Sequence, residues 1–179
     1  MANVSLAGEF AVLSQLALKG KNANMTLGNT KGVDILVSDP VSGKMLTLEV
    51  KTNYRKTPRK EIARSKIFGN FLSCSGWILK KENEKYDKKK NTNLFYCFVN
   101  ITKETGVCRF FIVPAKIVAK YVKEEHKLWL RMKKKEGKKV KDSDMRQFRL
   151  GIIGEKYEIT TPIGKNYENN WDFKEKFTK

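Results

Sequence analysis

Histidine is almost missing from this chain, with His126 as its one representative. Mechanisms that need two imidazoles are therefore excluded, and so is a metal site built from several histidines. Cysteine is nearly as scarce. Cys74, Cys97 and Cys108 form no CxxC pair, so they make no zinc module of ordinary spacing and read as small apolar residues on strands. A sparse, odd set of thiols fits a reducing compartment, and the expected localisation is cytoplasmic. No apolar run approaches a membrane span. The opening Met1-Ala2-Asn3-Val4-Ser5 lacks the basic and apolar regions of a secretory leader. Gly28-Asn29-Thr30-Lys31-Gly32 lacks the spacing of a phosphate-binding loop, so no nucleotide-driven motor is expected.

Acidic residues are the other shortage. Asp and Glu total 19 against 37 Lys and Arg, leaving a formal net charge of +18 on 179 residues. That excess favours a polyanion, nucleic acid first and an anionic membrane surface second. The bland alternative is a basic surface kept for solubility. What is present suffices for a core: 40% hydrophobic and 11% aromatic residues argue against disorder.

The periodicity reads as one α+β domain over residues 1–179, with 133–179 as a basic linker and C-terminal extension packed on the core. Leu6, Phe10, Leu13 and Ala17 recur at helical spacing in a leading helix that Gly20 stops. A short strand is expected over Met25 to Gly28. Val33 to Ser38 and Met45 to Asn53 alternate around Asp39-Pro40-Val41-Ser42-Gly43-Lys44, which has the chemistry of a turn. Pro58 to about Asn70 reads as a basic helix, a strand follows around Trp77-Ile78-Leu79, and Lys80 to Asn93 reads as a solvated loop. Leu94 to Ile101 and Val107 to Val113 form a buried hairpin. Pro114 opens an amphipathic helix running to about Met132, with His126 late on it. The tail beyond Asp144 has aromatics but weak periodicity. Trp77, Trp129 and Trp171 read as packing residues.

The first hairpin carries the chemistry. With a loop from Pro40 to Gly43, Val37 faces Leu46, Ile35 faces Leu48 and Val33 faces Val50, an aliphatic side. On the other side Leu36 faces Thr47 and Asp34 faces Glu49, with Lys51 two residues beyond. Facing carboxylates are destabilising unless something positive lies between them. A hard divalent cation with oxygen ligands is the economical answer, and magnesium commonly takes one or two carboxylates together with substrate phosphate. Lys51 beside it can orient the attacking water, a set sufficient for phosphodiester hydrolysis without histidine. The plainer alternative is an exposed polar face with an ordinary ion pair. Glu9 lies along the apolar side of the leading helix, relative to Leu13 and Leu16, where a carboxylate needs a partner or an ion. Its alternative is a glutamate favoured by the helix N-terminus. After the hairpin, Arg55, Lys56, Arg59, Lys60, Arg64 and Lys66, with Tyr54 interleaved, can track a phosphate backbone.

Val33-Asp34, fourteen residues, then Glu49-Val50-Lys51-Thr52 resembles the active-site signature of the PD-(D/E)XK, or restriction-endonuclease-like, nuclease superfamily. The resemblance spans roughly Val4 to Leu79, with Leu94 to Met132 similar to the remaining sheet and a packing helix. It implies a mixed sheet flanked by helices, with a leading helix before the catalytic hairpin. It further implies an Mg2+-dependent DNA endonuclease, Mn2+ substituting, that works as a homodimer. Asp34, Glu49 and the Val50 carbonyl would hold the metal, a leading-helix glutamate matching Glu9 would complete the site, and Lys51 would serve the water. The usual proline before the aspartate is Val33 here. Two alternatives stay open at this point: a catalytically inactive nucleic-acid-binding module or subunit of a larger DNA-processing complex, and a basic structural protein of a ribonucleoprotein.

Overall fold

Asn3 starts the leading helix by accepting the Leu6 N–H on its side-chain oxygen at 3.2 Å, which satisfies one of the donors a helix start leaves open. The helix, α1, runs over Val4–Leu18 and ends where Gly20 turns to φ 68°, a conformation glycine adopts without steric cost. The computed structural model describes residues 3–26, 32–41, 43–55, 62–65, 69–72, 75–88, 93–150, 158–159, 161–162 and 164–175. Among these the fold is a mixed α+β arrangement with a five-stranded mixed sheet. The chain divides into two units: Met1–Thr57 with Asn91–Ala115 and Asn166–Lys179, and Pro58–Lys90 with Lys116–Lys165.

The first unit holds the sheet. β1 (Asn22–Met25), β2 (Ile35–Ser38), β3 (Met45–Arg55), β7 (Leu94–Thr102) and β8 (Cys108–Pro114) lie side by side in that order. All neighbours are antiparallel except β3 and β7, which run parallel. The β2–β3 register matches the turn chemistry: Ile35 pairs with Leu48, Leu36 with Thr47 and Val37 with Leu46. Gly43 takes φ 65° and donates to the Asp39 carbonyl at 2.8 Å, closing the turn. The expected strand at Met25 to Gly28 lies earlier, at Asn22–Met25, because its antiparallel ladder with β2 ends at Met25 and Ile35; residues 27–31 are outside the described residues.

One face of this sheet is the core. Ile35, Val37, Leu46, Leu48, Val50, Phe95, Cys97, Val99, Phe110 and Ile112 pack there with Val12 and Leu16 of α1 and with Trp171 and Phe173. The fully buried line of α1 is Gly8, Val12 and Leu16; of the Leu6, Phe10, Leu13 and Ala17 stripe read from the sequence, Leu13 packs partly buried against the core, while Phe10 is 57% exposed. The helix is apolar around most of its circumference, so spacing alone does not choose the buried side. Gly8 chooses it: a Cβ there would lie 1.8 Å from Thr52 Oγ1 on β3. Only a glycine lets the helix seat on the strand at that point.

In the second unit, β6 (Ser75–Lys80) pairs antiparallel with β9 (Met145–Leu150), so the tail contributes a strand that its weak periodicity did not announce. Trp77, Tyr121 and Phe148 form its aromatic centre, with Tyr121 and Phe148 edge to face at 5.4 Å. The segment expected as a basic helix after Pro58 instead contains β4 (Ile62–Ser65) and β5 (Gly69–Leu72), paired antiparallel. Ser65, Gly69 and Asn70 are weak helix formers, and they share this ladder. The expected loop after Lys80 is a 3-10 helix over Lys81–Lys88, which begins with the Lys80 N–H donating to Asn83 Oδ1 at 2.9 Å. The long helix, α2, covers Ala115–Lys135, and Pro114 belongs to the end of β8 rather than to its first turn. His126 is buried and bonds Asp142 at 2.8 Å. No described helix is long and apolar enough to cross a membrane.

Candidate active site

Asp34 stands one residue before β2, at a bend. Its N–H donates to the Leu48 carbonyl at 2.8 Å and its own carbonyl accepts the Thr26 N–H at 3.0 Å. Thr26 Oγ1 also donates to the Val33 carbonyl at 2.7 Å. Two neighbouring strands thus fix the backbone that carries Asp34. No sequence signal marks Thr26, because its role depends on the edge strand pairing where it does.

The direct opposition of Asp34 and Glu49 read from the hairpin is not how the two meet. The regular ladder stops at Ile35 and Leu48, and Asp34 Oδ2 accepts the Val50 N–H at 2.6 Å. The bend turns the carboxylate onto the backbone beside Glu49 rather than leaving it across the ladder from it. Burial raises the Asp34 pKa above its ordinary value. The Val50 N–H and the nearby Lys51 charge pull it down, and the Glu49 charge adds a smaller upward push.

Glu49 and Lys51 alternate with the core residues Leu48 and Val50, so they stand on the sheet face opposite the core. Glu49 is 6% exposed. Lys51 Nζ meets its Oε1 at 2.7 Å, while its Oε2 is buried without a hydrogen-bond partner. A buried carboxylate oxygen left without a donor is costly. An oxygen-seeking cation beside Asp34 would satisfy it, and the carboxylate donors here are of the hard type magnesium prefers. The residues fit the ion on that count.

Glu9 is placed differently. Its Oε1 accepts from Ser5 Oγ at 3.1 Å on its own helix, and α1 packs on the core face, through Gly8, Val12 and Leu16. Among the described residues no group of three or more His, Cys, Asp or Glu side chains is arranged to hold a metal. The structure therefore brings Asp34, Glu49 and Lys51 together without Glu9.

No protein-family model matches the chain, and no curated protein matches it. Among solved structures it is similar to a bacterial homing endonuclease, I-Ssp6803I, at 13% identity and a TM-score of 0.45, over 94% of this chain and 86% of that one.

Of the nucleic-acid-binding residues expected to follow the site, Tyr54 and Arg55 end β3. Tyr54 is exposed, with Lys103 Nζ 5.3 Å from its ring centre, and the Arg55 carbonyl accepts the Lys103 N–H at 2.9 Å. Arg64 lies in β4 opposite Asn70. Lys56, Arg59, Lys60 and Lys66 lie outside the described residues.

Proposed function

We propose that this protein is a metal-dependent DNA endonuclease of the PD-(D/E)XK kind. The observation that carries this reading is the buried, unpartnered Glu49 Oε2, set beside a second carboxylate and a lysine in a chain of net charge +18. An ordinary ion pair would account for the Glu49 oxygen that meets Lys51, but not for the other one.

In this reading Asp34 and Glu49 hold Mg2+ (Mn2+ substituting), with the Val50 carbonyl as a third oxygen. Bound there, the ion supplies polarisation of a phosphoryl oxygen and a water of lowered pKa. Asp34 is held in place by the Val50 N–H, so its carboxylate is oriented before any ligand arrives. Lys51 has two tasks: it fixes the Glu49 carboxylate through Oε1, and its remaining ammonium protons orient water against a scissile phosphate. The basic excess draws the polyanion in.

The test is incubation with supercoiled, linear, single-stranded and branched DNA, with and without Mg2+. Cleavage is expected only with the metal. Asp34→Ala and Lys51→Ala should each lose it while retaining fold and DNA affinity; full activity in both purified variants would overturn the assignment.

A further inference from the structure

β1 and β2 form a short two-stranded ribbon at one edge of the sheet, and its outward face has an unusual composition. Asn22 pairs with Ser38 and Asn24 with Leu36; Ser38 and Leu36 then pair with Met45 and Thr47 of β3. The intervening residues Ala23, Ile35, Val37, Leu46 and Leu48 belong to the core side, so these six point the other way. None of the six is charged, although 31% of the chain is. Leu36 is 41% and Met45 57% exposed. A face kept only for solvation would be expected to carry charge, and an edge strand is commonly guarded by lysine or proline; β1, Asn-Ala-Asn-Met, has neither.

The same face continues into the candidate active site. Along β3 it runs Met45, Thr47, Glu49, Lys51, and Asp34 stands at the bend just before β2, two residues ahead of Leu36. A duplex bound at Glu49 and Lys51 therefore has this ribbon beside it. Its chemistry suits base edges better than phosphates: amides offer a paired donor and acceptor, which match adenine in the major groove, and an exposed aliphatic side chain suits the thymine methyl. Asn22 and Asn24, two residues apart on a strand, are spaced by roughly 6.8 Å. That is about two base-pair steps of 3.4 Å. A two-stranded ribbon also fits a major groove about 12 Å wide.

We infer that the β1–β2 ribbon reads DNA sequence in the major groove, with Asn22, Asn24 and Leu36 as its specificity-determining residues. This rests on the nuclease reading for the placement of the duplex, but its test does not depend on cleavage.

The experiment selects bound duplexes from a random DNA pool in EDTA and maps cut ends in Mg2+, for the wild type, Asn22→Ala, Asn24→Ala and, as a control in the other unit, Ile78→Ala. The wild type should show a sequence preference in at least one readout. Each asparagine variant should relax it at one or two adjacent base pairs by roughly 5- to 150-fold, with an unchanged melting temperature, while Ile78→Ala keeps the wild-type preference. A preference that survives both asparagine substitutions, or no preference in either readout, overturns the ribbon's role. Cutting without preference would overturn it and leave the nuclease standing. Preference in binding without cutting would do the reverse. A change of oligomeric state in the asparagine variants, with base preference intact, would make the face a contact between copies and also overturn the inference.

Discussion

Gly8 of α1 and Thr52 of β3 touch so closely that a methyl group on Gly8 would sit 1.8 Å from Thr52 Oγ1 and 2.9 Å from both Thr52 Cβ and Cγ2. Thr52 directly follows Lys51, so this contact holds the helix against the strand segment that carries the site. In an exposed helix Gly→Ala gains about 1 kcal/mol. Here overpacking, about 1–3 kcal/mol, wins. Gly8→Ala should lower the denaturation midpoint, and adding Thr52→Ala, which deletes two of the three close atoms, should recover part of the loss. A Gly8→Ala protein more stable than the wild type would contradict the packing.

Glu49 should be the residue through which a divalent cation stabilises the fold. A ligand that binds only the folded state at 100 times its Kd adds about 2.7 kcal/mol, so Mg2+ should raise the melting temperature of the wild type. Glu49→Gln removes the charge while keeping the shape, and should melt at the same temperature with or without the ion. An equal Mg2+ shift in both proteins would place the metal elsewhere.

In the second unit, Arg149 pairs with Glu125, whose carboxylate is buried; burial pushes the Glu125 pKa up, against the pull of the Arg149 charge and hydrogen bond. Arg149→Met leaves that carboxylate without its ion-pair partner, and removing one partner of a buried pair costs about 3–5 kcal/mol. The double variant Arg149→Met with Glu125→Leu should be more stable than Arg149→Met alone. Urea denaturation of the set reads this out, and a double variant less stable than the single one would refute it.

Asp142 gathers Lys81 at 2.7 Å, His126 at 2.8 Å and Arg146 at 3.4 Å. Hydrogen bonds from Lys81 and His126 hold its pKa down at about 2, below the ordinary 3.8. A carboxylate depressed in the folded state contributes stability that is complete above its unfolded pKa and disappears as pH falls through the folded one. The contribution should therefore fade between about pH 4 and pH 2. Near-UV circular dichroism during acid titration should show a shallower pH dependence across that window for Asp142→Asn. Identical acid transitions in the two proteins would exclude this role for Asp142.

The hairpin was legible because its evidence is local: a turn sequence of fixed length and strict alternation leave one register for Ile35 to Ser38 against Met45 to Leu48. The parallel pairing of β3 with β7 and the edge position of β1 are long-range facts that no window of sequence carries. The same limit hid the strand at Met145–Leu150, whose partner lies some seventy residues earlier; the helical reading after Pro58 yielded instead to a local ladder, Ile62–Ser65 against Gly69–Leu72. On α1, apolar residues on several sides left the buried face undetermined until Gly8 met Thr52. At the site, residue types pointed to Asp34, Glu49 and Lys51. The bend that hands Asp34 to the Val50 N–H and the buried Glu49 oxygen without a partner are properties of the folded backbone.

Trp171 and Phe173 pack into the core of the first unit against strands encoded far upstream, with Phe110 5.3 Å from Trp171 and Phe95 5.4 Å from Phe173. A ribosome delivers these two rings after the whole sheet and after all of the second unit. The nascent sheet must therefore wait with an unfilled hydrophobic cleft while residues 116–165 are made, a period in which chaperones or aggregation compete for it. The core of the first unit is thus complete only once residues made after the second unit have joined it.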